Sequence, residues 1–123
     1  MDTGAKKPKG DLMSLRHYET MIILKPTLTD EEKEAIIENV KKIITDFGGE
    51  VVAVENIGVR ELAYPIEKFE RGHYYIIYYK APADAVLELE RQLRYNEDVL
   101  RFMTVKYETK KDIKRWEEMA KNV

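Results

Sequence analysis

A chain of 123 residues, 44% hydrophobic and 36% charged, has room for one domain with a real core, and its lack of cysteine excludes a disulfide framework, a thiolate metal site and a cysteine nucleophile. The formal net charge of −2 argues against holding nucleic acid by bulk electrostatics, so any such contact must rest on local placement of charge. No apolar run approaches the ~20 residues of a membrane-spanning helix. The absence of cysteine suits a reducing, cytoplasmic setting.

Residues 1–15 are polar, hold Gly4, Pro8 and Gly10, and follow no period. They read as a flexible, mildly basic extension without the apolar segment of a secretory signal, or as upstream-start residues with no role. Residues 16–25, RHYETMIILK, form a strand with apolar side chains on both faces, which suits a central position; Pro26 ends it. Thr29-Asp30-Glu31-Glu32 is a capping box, followed by Ile36, Ile37, Val40, Ile43, Ile44 and Phe47 at helical spacing, with Gly48-Gly49 as terminator. Residues 50–65 read as a long strand with a bulge at Gly58, and Pro65 places it on a sheet edge. A connection over residues 66–72 leads to a second, aromatic-rich strand over 73–80. A helix starts at Pro82-Ala83-Asp84, buries Val86, Leu89 and Leu93, and ends at Asn96 in a left-handed conformation. The last strand covers residues 99–107. The charged stretch 109–123 can form a turn or two of helix around Ile113, Trp116 and Met119 but is short for an isolated one.

The order β, α, β, β, α, β with right-handed crossovers gives an α+β domain over residues 16–108: a four-stranded antiparallel sheet, order 4-1-3-2, with both helices on one face. The other face is not polar. Strand alternation places Tyr74, Ile76 and Tyr78 there beside Met21, Ile23, Met103 and Val105. Exposed apolar area of that extent marks a binding surface, unless the tail at 113–119 folds back over it or a second copy covers it.

No phosphate loop, nucleophile elbow or His-Glu helix pair is present. His17, His73 and Glu19 make at most an incomplete metal set, so the histidines read as surface residues and no metal or cofactor is expected. Segment RGHYYIIY, residues 71–78, partly resembles the signature of the RNA-recognition motif. His73, however, stands where an aromatic is expected, and Tyr74 where a small residue is needed.

At GVRELAYPI, residues 58–66, with Lys68, Gly72 and Tyr74 following, the chain resembles the bacterial small-subunit ribosomal protein S-six family. RHYE at 16–19 and RYNEDVLRFM at 94–103 are similar to that family at the corresponding places. The resemblance implies a ferredoxin-like, non-enzymatic protein of the cytoplasmic ribosome. It would bind the central domain of 16S ribosomal RNA as a heterodimer with ribosomal protein S-eighteen and help assemble the platform, with no membrane or small-molecule substrate involved. The extension before residue 16 precedes the point where the family usually begins.

Phosphate contacts need Arg and Lys. Residues 29–46 hold three basic and six acidic side chains, and residues 84–98 two and five, so both helices should face away from RNA. That leaves Arg16, His17, Arg60, Tyr64, Lys68 and Arg71 as the expected RNA edge. Met21, Ile23, Tyr74, Ile76, Arg101 and Met103 are the expected protein-partner interface, since aromatics, Met and Arg are what interface cores contain. The competing readings are a stand-alone RNA-recognition-type module stacking bases on Tyr74 and Tyr78, and a ligand-binding regulatory domain dimerised through the open sheet.

Overall fold

The computed structural model describes residues 15–123, so the expected extension lies, Leu15 apart, outside the described residues. Over them the chain runs β1 (Arg16–Leu24), α1 (Asp30–Asp46), β2 (Glu50–Ile66), β3 (Phe69–Ala81), α2 (Ala83–Tyr95), β4 (Val99–Tyr107) and α3 (Lys110–Lys121). The strands form one antiparallel sheet of order β2-β3-β1-β4, the expected 4-1-3-2 read from the other edge. The two strands apolar on both faces, β1 and β3, are central, and Pro65 lies on edge strand β2, where its missing N–H costs no ladder bond.

The capping box forms: Thr29 Oγ1 accepts from the Glu32 amide at 3.1 Å, and the Glu32 carboxylate accepts from the Thr29 amide at 2.9 Å. Gly48, at φ 85°, turns the chain out of α1. The stripe Ile37, Val40 and Ile44, with Leu89 and Leu93 of α2, packs on Tyr18, Ile22, Leu24, Tyr75, Ile77 and Tyr79 of the sheet. Thr20 is buried in the same layer and is satisfied by the hydroxyls of Tyr79, at 2.8 Å, and Thr104, at 2.9 Å. Burial pushes the Tyr79 hydroxyl up to about 12. Asn96 is not left-handed as expected. It sits at φ −88°, ψ 115°, and its side chain instead accepts from the Asp98 amide at 2.8 Å, closing the turn locally.

Two features differ from the expectation in ways that shape the open face. The connection expected over 66–72 is a two-residue turn, Glu67-Lys68, with φ of 49° and 72°; β3 begins at Phe69, which pairs with Ile66. Gly72 is therefore inside the strand rather than at its start. Because β1 ends at the Leu24–His73 pair, the hairpin projects beyond the sheet as an arm. Irregular pairing between Glu61 and Ile66 bends this arm, and Gly58, at φ 100°, lies at the expected bulge.

The second feature is the tail, which forms a 12-residue helix rather than a turn or two. Thr109 caps it, accepting from the Asp112 amide at 3.0 Å. Trp116, 1% exposed, packs with Tyr78, Tyr107 and Ala120 on the sheet face opposite α1 and α2. Its indole N–H donates to the Tyr18 carbonyl at 2.8 Å. Tertiary burial supplies what a short helix lacks alone.

Candidate protein and nucleic-acid interface

Strand register places the open-face residues in cross-strand rows. Ile23 lies between Tyr74 and Arg101, Met21 between Ile76 and Met103, Glu19 between Tyr78 and Val105, and His17 between Lys80 and Tyr107. This face is closed at its His17 end by α3 and overhung at its Ile23 end by the bent arm. The surface expected to be bare is thus a strip between two covers.

Under the arm lies an apolar cleft of about 280 Å³, lined by Met21, Ile23, Tyr74, Arg101 and Met103 from the sheet and by Leu62, Ala63, Tyr64 and Ile66 from the arm. Five of the six expected partner residues meet there. The sixth, Ile76, packs toward the Trp116 cluster beside Met21. Arg101 donates to the Tyr64 hydroxyl and lies 5.5 Å over its ring, so Tyr64, expected at the RNA edge, also lines the cleft. Met103 and Tyr64 remain 55% and 53% exposed. Sequence reasoning missed Leu62, Ala63 and Ile66 as wall residues because only the bend of the arm brings them over the sheet.

The expected RNA edge divides into two places. Arg60, Lys68 and Arg71 are exposed on the arm, with Lys68 at a left-handed turn position. Arg16 is exposed at the opposite end of β1, about 27 Å or more away at ~3.4 Å per residue. His17 is half-buried, its ring edge-on against Trp116 with centroids 4.7 Å apart. Tyr78 is 4% exposed beneath Trp116, which removes one of the two stacking rings that a stand-alone RNA-recognition module would use.

His73 is not the surface histidine expected. Its side chain is on the helix face, opposite His17 and Glu19, which dissolves the incomplete metal set. Its Nδ1 accepts from the buried Lys33 ammonium at 2.9 Å, which leaves Nε2 as the N–H that donates to Asn56 Oδ1 at 2.6 Å. The ring stacks on Tyr75, centroids 4.6 Å apart. Burial first, then the Lys33 charge, lowers its pKa, with Asp30 opposing; burial and Lys80 act likewise on His17. The unfolded chain takes up protons as pH falls through about 6.5 while the folded one does not, so stability is full above that pH and declines below it, down to the folded pKa values. The urea midpoint should therefore fall between pH 7 and pH 5, and His73→Gln should shrink that fall; an unchanged difference would leave His73 out of the acid response.

Tyr107 donates to Glu19 Oε1 at 2.6 Å, and burial together with this bond raises the phenol's pKa. Among the described residues no buried side-chain nitrogen or oxygen lacks a partner, and no group of His, Asp and Glu could hold a metal ion.

Fold and site together define a ferredoxin-like α+β module with a partly covered apolar sheet face and basic residues at both ends of it. The chain belongs to the family described as Ribosomal protein S6, which matches residues 17–106. It is 65% identical over 106 residues to the small ribosomal subunit protein bS6 of a Nitratiruptor species, covering 86% of this chain and 83% of the relative. It is 52% identical over 109 residues to that of Campylobacter lari, covering 89% and 88%. The crystal structure of 30S ribosomal protein S6 from Thermotoga maritima superposes with a TM-score of 0.74 at 35% identity, over 87% of this chain and 98% of that one.

Proposed function

We propose that this small-subunit S-six-family protein acts without catalysis, binding the central domain of 16S ribosomal RNA as a heterodimer with ribosomal protein S-eighteen and aiding platform assembly in the cytoplasmic ribosome. The observation that carries this reading is the apolar strip of half-buried Met21 and Tyr74 and exposed Met103, floored by buried Ile23, between the arm and α3 and flanked by exposed Arg60, Lys68 and Arg71. The strip serves the protein partner. The arm's cations meet phosphate. With acidic α1 and α2 on the opposite face, the protein alone carries too few free cations on one surface to hold RNA tightly.

Titrating a labelled central-domain transcript should give weak binding with this protein alone and tight binding once S-eighteen is added, with a modest salt slope because few phosphates are neutralised. Equal affinity with and without S-eighteen would overturn the heterodimer reading.

A further inference from the structure

The basic residues of the three helices are treated differently. On α1 and α2 three of the five are paired within their own helix, Lys41 with Glu38 at 2.9 Å, Lys42 with Asp46 at 2.8 Å, and Arg91 with Glu88 at 2.8 Å, while Lys33 is buried against His73 and Arg94 lies over the Phe102 ring. On α3, Lys110, Lys111, Lys114 and Lys121 form no ion pair among the described residues, and Arg115 reaches Asp112 only at 3.6 Å. At 100° per residue the burial of Trp116 and Ala120 turns these four lysines away from the sheet, with Glu118 among them and Glu117 at the edge of their arc. Arg16, exposed and likewise without an ion pair among the described residues, stands at the start of β1 on the same end of the domain. This arc carries no large apolar side chain, so it is not built to enter a lipid surface. Trp116 anchors the helix and fixes where the cations point.

We propose that the outward face of α3, together with Arg16, is a second phosphate-contacting surface for RNA, at the far end of the sheet face from Arg60, Lys68 and Arg71. It rests on the RNA-binding reading above and adds an element lying beyond residues 17–106, the part of the chain that the family matches. The protein partner then sits between two basic ends, each addressing a different stretch of the RNA backbone.

The test is the combined variant Lys110→Glu, Lys111→Glu, Lys114→Glu, assayed with S-eighteen on the central-domain transcript across a salt series. Acidic groups at positions 110 and 111, in the first turn, suit the helix dipole, position 114 is exposed, and Thr109 and Trp116 are untouched, so the near-UV signal of Trp116 should persist. Affinity should drop on the order of tenfold, and the slope of log K against log salt should become shallower by about 2, at ~0.7 to 0.9 for each phosphate no longer neutralised. The converse variant, Glu118→Lys, should steepen that slope, and provides the reading should the triple variant lose its fold. Wild-type affinity and slope in the folded triple variant, or an unaltered slope in Glu118→Lys, would overturn the proposal while leaving the RNA-binding reading intact. A wild-type pair that failed to bind the transcript would instead remove that reading, and this proposal with it.

Discussion

Replacing Trp116 with alanine should destabilise the protein by about 3 to 5 kcal/mol, the range for truncating a fully buried aromatic. At this chain length the loss corresponds to a fall of roughly 10 to 20 °C in Tm. The cost has three sources. The indole fills the space between α3 and the sheet at 1% exposure, its N–H satisfies the Tyr18 carbonyl at 2.8 Å, and its ring meets His17 and Tyr78 edge-on. Alanine leaves a cavity and an unmet hydrogen bond, and α3 is too short to persist undocked. Trp116→Phe, which keeps most of the packing but not the bond, should lose far less. A melting curve for Trp116→Ala within a degree or two of wild type would mean that α3 contributes nothing to the fold. Trp116 is the chain's one tryptophan, so intrinsic fluorescence reports this docking directly.

Gly72→Ala should cost about 1 to 3 kcal/mol and weaken RNA binding as well. A Cβ at Gly72 would lie 2.4 Å from Ile23 Cγ2 and 3.4 Å from Leu62 Cδ2. Ile23 is buried and β-branched, so its methyl cannot swing aside as the end of a flexible chain would. The arm must lift from the sheet instead, taking with it Arg60, Lys68 and Arg71 and opening the cleft that Leu62 helps to wall. The signature is a joint loss: a lower urea midpoint together with weaker binding of the S-eighteen complex to the central-domain transcript. Stability lost without any change in binding would show that the arm's position is irrelevant to the interface.

Much of the framework is legible because single residues carry unambiguous physical instructions. Pro65 dictates an edge, Gly58 a bulge, the Thr29–Glu32 pair a helix start, and two-faced apolarity the central places of β1 and β3. What escapes the sequence depends on contacts between distant segments. The Glu67-Lys68 turn has two left-handed residues and neither glycine nor asparagine to announce it. The helix α3, though capped by Thr109, is too short to stand alone and depends on the burial of Trp116 and Ala120 against the sheet. His73 reads as a surface residue until Lys33, forty positions away, is brought against it. The six residues grouped as one RNA edge are united mainly by charge, and charge alone cannot tell that β1 separates Arg16 from the arm or that Trp116 packs against His17. Tyr64, half exposed on the arm, also lines the cleft, where Arg101 lies over its ring.

The two covers on the sheet face also set a measure. The Ile23 row, under the arm, and the Glu19 row, where Tyr78 lies beneath Trp116, stand four residue steps of β1 apart, on the order of 14 Å. A guest laid along the strands fits as a segment of four or five residues, and a helix fits only crosswise. Anything longer laid along the strands must dislodge the hairpin or the terminal helix, so the strip sorts its visitors by length and direction before chemistry has a say.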